Sequence, residues 1–291
     1  MTQRLTVGLN GSPEGAAAAR WAAREADLRG ASLDLVHVEE WLEHPPLALS
    51  TTEERTRWAD TVLKDSADEA RRTHPSLDIR SRKVRGLPGQ ALAHAAEESD
   101  MLVIGSRALG IIAGFLLGST ASATLSETGT PVVLVRAAAG EEHAPDGGRT
   151  QRSIVVGMDI SRRADAVLAF AFAEAAIRDS GLVFVHGCAV PPVLSYAPAL
   201  DASLAQEMVS NASGALNEIL SPWRSRFPSV AVDLLVGPGP APIQILRAAT
   251  DADLVVVGRR TRDAPIGAHV GPTAHAVLHH AVSPVAVVAH A

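Results

Sequence analysis

Cysteine, lysine and aromatic side chains are scarce in this chain, and each scarcity excludes something. A single cysteine, Cys188, cannot close a disulfide within the chain and suits a reducing compartment. Aromatic residues make up only 3% of the 291 residues, too few for a platform of stacked nucleobases. The only lysines are Lys64 and Lys83, and neither follows a glycine. The phosphate loop G-x-x-x-x-G-K-[ST] is therefore absent. Positive charge is not in excess either. The 26 Lys and Arg stand against 32 Asp and Glu, a formal net charge of −6, which excludes a dominant nucleic-acid footprint. The longest apolar run, residues 111–118, falls far short of the ~20 residues of a membrane helix. The opening Met1-Thr2-Gln3-Arg4 leads into no signal-peptide core. No G-x-S-x-G elbow occurs, so a serine hydrolase of that type lacks its nucleophile. The expectation is a cytoplasmic globular protein that binds neither nucleic acid nor membrane.

What the chain does contain, it contains twice. Thr6-Val7-Gly8-Leu9-Asn10-Gly11-Ser12 resembles Val155-Val156-Gly157-Met158-Asp159-Ile160-Ser161 at an offset of 149. Leu35-Val36-His37-Val38 resembles Val183-Phe184-Val185-His186 at a nearly equal offset. Asp100-Met101-Leu102-Val103-Ile104-Gly105 resembles Asp253-Leu254-Val255-Val256-Val257-Gly258 at 153. Thr130-Pro131-Val132-Val133-Leu134-Val135 matches Ser283-Pro284-Val285-Ala286-Val287-Val288 at the same 153. A period near 150 with its order kept is a duplicated domain, not a solenoid. The expected boundaries are residues 1–138 and 152–291, with a Gly- and Pro-bearing linker over 139–151.

Each copy alternates strand and helix. The first is predicted to run strand 4–10, helix 13–30, strand 32–38, helix 53–72, strand 77–84, helix 88–98, strand 101–105, helix 119–127 and strand 131–136. The second repeats this, with strands near 153–159, 182–187, 229–236, 253–257 and 284–289. Its helices are predicted near 162–180, 200–226, 241–250 and 272–281. Continuously apolar strands such as residues 101–104 and 254–257 need helices on both faces. The fold expected is α/β: two tandem doubly wound domains, each a five-stranded parallel sheet flanked by helices, in the order 3-2-1-4-5. Ligands in such sheets bind beyond the carboxyl ends of the strands, at the switch point.

One connection is longer than a strand-to-helix loop requires. It runs from Gly105-Ser106-Arg107-Ala108 to Gly118-Ser119-Thr120. Gly105 would let the chain turn off the strand, and Gly118-Ser119 would open a helix whose first N–H groups suit an anion. The Ser119 and Thr120 hydroxyls would add bonds to a phosphate, and Arg107 a charge. The same glycines would equally serve a surface loop whose Ile111, Ile112, Phe115 and Leu117 pack a core. Geometry alone leaves both readings standing. His275 and His279 share a helix face at i, i+4, but lack the glutamate of H-E-x-x-H and any nearby cysteine, so no metal site is assigned there. Cys188 reads as a small buried hydrophobe. Arg259-Arg260-Thr261-Arg262 beyond a strand end either meets phosphates or is solvated.

These motifs resemble the universal stress protein family, and the whole chain looks like a tandem of two such domains. The family signature G-x2-G-x9-G-[S/T] falls on Gly105, Ala108, Gly118 and Ser119, with alanine for the second glycine. In the second copy it falls on Gly258, Thr261, Gly271 and Pro272, where two of four positions depart. The family's aspartate, in a Val-Asp-x-Ser context, corresponds to Asn10 before Ser12 and to Asp159 before Ser161. The resemblance implies binding of ATP, with Mg accompanying it. It places the adenosine part at Asn10 or Asp159 and the phosphates at Gly118-Ser119-Thr120 or Gly271 and Thr273. It implies a regulatory role in stress response, with at most slow ATP hydrolysis, since no base–nucleophile–orienter set is present. The alternatives are a nucleotide-handling enzyme of the related superfamily, whose H-x-G-H motif is absent here, and a nucleotide-free scaffold.

Two further expectations follow. The apolar fifth strands lie at sheet edges, so the two domains are expected to pair through them within the chain, a homodimer remaining the other option. The first site keeps its phosphate end, whereas Pro272 removes both a hydroxyl and an N–H from the second, so the first domain should bind ATP more tightly.

Overall fold

The computed structural model describes residues 3–40, 51–106, 118–137, 153–162, 164–188, 198–261 and 270–291. The chain divides into two compact units, Met1–His143 and Ala144–Ala291. Arg107 and Ala108 lie outside the described residues, as does the whole of the expected linker.

In the first unit β1 (Arg4–Leu9), α1 (Pro13–Arg29), β2 (Ser32–Glu40), α2 (Thr52–Thr73) and β3 (Ile79–Gly86) lead to α3 (Pro88–Ala95), β4 (Met101–Ser106), α4 (Ser119–Glu127) and β5 (Val132–Arg136). The strands are parallel in the order β3-β2-β1-β4-β5. The second unit repeats the plan with β6 (Ser153–Gly157), α5 (Asp165–Arg178), β7 (Gly181–Cys188), α6 (Pro198–Arg226), β8 (Val232–Pro238), α7 (Ala241–Ala248), β9 (Leu254–Arg260), α8 (Pro272–His280) and β10 (Val285–His290). Its order is β8-β7-β6-β9-β10. Each unit is thus the doubly wound α/β domain that the alternating pattern predicts.

The central strands carry the core. Leu5, Val7, Leu33, Leu35, Met101, Leu102 and Val103 have no exposed surface, and neither do Val156, Phe184 and Leu254 in the second unit. Such burial on both faces explains why these strands read as unbroken apolar runs. The outer strand β3 instead carries Arg80, Arg82, Lys83 and Arg85, charges that discourage pairing at a free edge. An ion pair is duplicated along with the fold: Arg29 donates to Glu25 at 2.7 Å and Arg178 to Glu174 at 3.3 Å, with both carboxylates buried.

Helix ends explain where the two units differ. Ser12 caps α1, its Oγ accepting from the Gly15 amide at 3.1 Å, and Pro13 occupies the first helical position. The predicted equivalent start at residue 162 is not observed. Helix α5 begins at Asp165 with no side-chain cap, and the Ser161 hydroxyl donates to Asp159 instead. Strands β4 and β9 also run further than predicted, to Ser106 and Arg260.

Candidate functional site

At the switch point β1 is flanked by β2 and β4, and its last residues pair with both: Gly8 lies beside Val36 and Ile104. The chain then turns through Asn10-Gly11-Ser12 into α1. Gly11 has φ +70°, and a Cβ there would collide with the ring of Trp58 from α2, so only glycine makes this turn. Asn10 Oδ1 accepts from the Ser12 amide at 3.1 Å. Trp58 remains 49% exposed at the rim of this turn.

Gly105 has a different job from the one its sequence position suggests. It does not turn the chain off β4 but pairs with Val135 inside the sheet. A Cβ on it would lie 2.5 Å from Glu14 C and 2.7 Å from Glu14 O and Gly15 N. Its bare Cα lets the first turn of α1 rest against β4. Asn10, Ser12 and Gly105 are therefore brought into one corner. Gly258 plays the matching part in β9, where a Cβ would approach His290 and Val167.

Gly118 contrasts with Gly105 in every respect. It precedes α4 with φ −53° and ψ 145°, a conformation open to any residue. No described atom lies within 4 Å of the Cβ it lacks. Neither backbone strain nor any contact with the described residues requires glycine here. No described side chain caps α4, so among the described residues the amides of Ser119, Thr120 and Ala121 are the unshared donors of a helix start. Since α4 crosses back between parallel β4 and β5, this start lies at the carboxyl edge of the sheet. The helix packs on α3, the Thr124 hydroxyl donating to the Gly89 carbonyl at 3.2 Å. No described contact joins Ser119 or Thr120 to Asn10; residues 107–117 connect the two sets.

The second unit repeats the frame with altered chemistry. Gly271 likewise precedes α8 with φ −66° and no described atom within 4 Å of the Cβ it lacks. Pro272 at the first helical position removes one donor, leaving the Thr273 and Ala274 amides. The Thr261 amide and hydroxyl both donate to the His290 carbonyl, at 2.8 and 3.0 Å, so this residue is tied to the end of β10. Arg259 is buried, 5% exposed, while Arg260 is exposed. Only the latter of these two is placed to meet a solvent-borne anion. A cavity of about 380 Å³ lined by Asp165, Glu218, Ile219, Pro222, Trp223 and Arg226 contains none of the signature residues.

Asp159 shows what replaces Asn10. Its Oδ1 accepts from the Ser161 amide at 3.0 Å and from the Ser161 hydroxyl at 2.6 Å. The carboxylate thus draws to itself the serine that caps α1 in the first unit. Burial pushes its pKa up, but the two Ser161 bonds outweigh that, with Arg162 and His186 adding, and the net shift is downward. A carboxyl held below its unfolded value contributes stability at neutral pH, and this contribution is lost as pH falls through the depressed value. Asp159→Asn should therefore flatten the acid limb of the second unit's stability, below about pH 4, in urea titrations. An unchanged acid limb would show the turn to be indifferent to this charge.

One pair of residues escaped the sequence reading. His37 donates Nδ1–H to the Leu9 carbonyl at 2.9 Å, and His186 donates to the Met158 carbonyl, also at 2.9 Å. Both carbonyls immediately precede the Asn10 and Asp159 positions. The bond puts a proton on Nδ1 of each ring and holds the strand end in place. Trp58 packs edge-on to His37, with centroids 5.4 Å apart. His37 and His186 are 149 apart, the offset of the first-strand motif, one more than the 148 that separates Leu35 from Val183.

The fold and the strand-end site define a pair of doubly wound α/β domains. The chain belongs to the universal stress protein family, whose model matches residues 1–136 and again 151–289. Universal stress protein Rv2623 of Mycobacterium tuberculosis is 32% identical over 291 residues, covering 97% of this chain and 95% of that protein. Universal stress protein Rv2005c of the same organism is 31% identical over 294 residues, covering 97% and 96%. The crystal structure of a universal stress protein from Archaeoglobus fulgidus superposes with a TM-score of 0.65 at 15% identity, covering 99% of this chain and 98% of that one. Among the described residues no helix is long and apolar enough to cross a membrane.

Proposed function

We propose that this chain binds ATP at the carboxyl ends of its strands, chiefly in the first unit, and acts as a cytoplasmic regulator in stress response rather than as a strong catalyst. The observation that carries the reading is Gly118. A glycine that neither φ nor packing among the described residues demands, in front of three amides that no described side chain caps, makes sense where a ligand must approach the backbone closely. In this reading the Ser119, Thr120 and Ala121 amides hold phosphate oxygens, the hydroxyls of Ser119 and Thr120 assist, and Asn10 faces the adenosine part. Arg107 and Ala108, outside the described residues, belong to the same proposed set. In the second unit Asp159, Ser161, Gly258, Thr261, Gly271 and Thr273 form the weaker counterpart.

Among the described residues no group of three or more His, Cys, Asp or Glu gathers to hold a metal. Mg would therefore come with the phosphates and keep its water ligands, as this hard cation commonly does. Native mass spectrometry of the purified full chain tests the reading. It should show a mass increment of one adenine nucleotide, or acquire one on addition of Mg-ATP. A chain that stays ligand-free with millimolar Mg-ATP would favour the scaffold alternative.

A further inference from the structure

The last helix carries a feature that the proposed nucleotide site does not use. His275 and His279 lie one turn apart on α8, and their Nε2 atoms converge to 3.2 Å. The ring centroids are 4.3 Å apart and the planes are inclined by 56°. Two imidazoles one turn apart can point in many directions; here the two Nε2 atoms meet at one point, and in the tautomers protonated at Nδ1 both would present lone pairs there. Zn–N bonds of about 2.0–2.1 Å to both atoms would enclose an angle of roughly 100°, close to tetrahedral. His275 is exposed and His279 half-buried, so solvent reaches the place where the ion would sit. The helix already holds both backbones at the required spacing, so chelation orders only side-chain torsions.

We propose that His275 and His279 form a surface site for an imidazole-preferring divalent transition metal, with Zn(II) as the probe species. No third His, Cys, Asp or Glu joins the pair among the described residues. The described residues thus supply two ligands, fewer than the four of a closed structural zinc site, and water or an exchangeable ligand can take a further position. Imidazole ligands favour Zn, Cu and Ni over Mg and Ca, so the site is distinct from the Mg that accompanies a nucleotide. The competing account is a plain hydrogen bond, in which one neutral ring donates Nε2–H to the other and no metal enters.

The test is calorimetric titration of the full chain with ZnCl2 at pH 7.5, in the absence of nucleotide. The chain has 11 histidines, so the wild type is compared with His275→Gln, His279→Gln and the double variant. Glutamine keeps helix propensity, and unchanged melting without metal confirms that each variant folds. The wild type should bind one more equivalent of Zn than any variant. Each single change should lower affinity at that equivalent by about tenfold or more, and the double change should add little, because both rings are needed. The plain hydrogen bond instead predicts identical Zn isotherms for all four proteins, and that result would overturn the proposal, as would a single variant that keeps wild-type affinity.

Discussion

Gly118→Asp should leave the first unit folded, slightly more stable, and poor at binding ATP. The backbone at Gly118 suits any residue, and an added Cβ meets no described atom. Aspartate is a good N-cap, and its carboxylate can accept from the Thr120 or Ala121 amide. Replacing glycine there is worth a few tenths of a kcal/mol, with a further contribution from the stiffer unfolded chain. The same carboxylate would sit where we place the phosphates. Like charges at about 4 Å repel by roughly 1–4 kcal/mol, depending on solvent screening. A loss near 2 kcal/mol lowers affinity about 30-fold. Stability and binding thus move in opposite directions, which a variant that merely damaged the fold would not do. Urea unfolding and equilibrium dialysis with ATP measure the two quantities. Unchanged affinity would remove the phosphates from this helix start.

Gly105→Ala should do the reverse, although Gly105 belongs to the same signature. Its Cβ would lie 2.5–2.7 Å from backbone atoms of Glu14 and Gly15, which cannot move away as a side-chain tip can. Overpacking of a tight core typically costs 1–3 kcal/mol, and backbone contact places this case at about 3. The first turn of α1 must shift, taking Ser12 and Asn10 with it. The first unit's urea midpoint should therefore fall, and ATP affinity with it. Gly118→Ala is the control, with stability within about 0.5 kcal/mol of wild type. Equal stability of the Gly105 and Gly118 variants would mean that α1 does not rest on β4 as described.

These two glycines also show how far the sequence could be read. The repeat, the apolar strands and the caps announced the α/β plan, because parallel sheets buried on both faces leave few alternatives. The signature spacing found both glycines but could not tell their jobs apart. Gly105 looked like a turn residue, yet the strand runs on through Ser106, and its role depends on a helix that arrives from sequence-distant Glu14. The start of α5 was misplaced for a similar reason. Ser161 looks like the cap that Ser12 is, but the charge on Asp159 captures its hydroxyl and the helix begins later. The histidine pair at 37 and 186 carried a legible signal in its offset of 149, but a bond to a main-chain carbonyl leaves no trace in residue type. Convergence of His275 and His279 was half legible. Spacing put them on one face, and only rotamers bring their Nε2 atoms to 3.2 Å.

The claim that the first unit is the principal nucleotide site rests on a difference in donors. Helix α4 offers three uncapped amides and two adjacent hydroxyls, whereas Pro272 leaves α8 with two amides and the Thr273 hydroxyl. Against this, Asn10 forfeits only the charge assistance that Asp159 retains, worth about 1 kcal/mol. Two lost donors toward an anion cost roughly 1–3 kcal/mol each, so the balance favours the first unit by about a hundredfold in affinity. The decisive measurement is an ATP titration of the full chain carrying Gly118→Asp, set beside one carrying Gly271→Asp. The account predicts that the first variant loses most high-affinity binding and that the second keeps it. Retention by Gly118→Asp with loss by Gly271→Asp would contradict it.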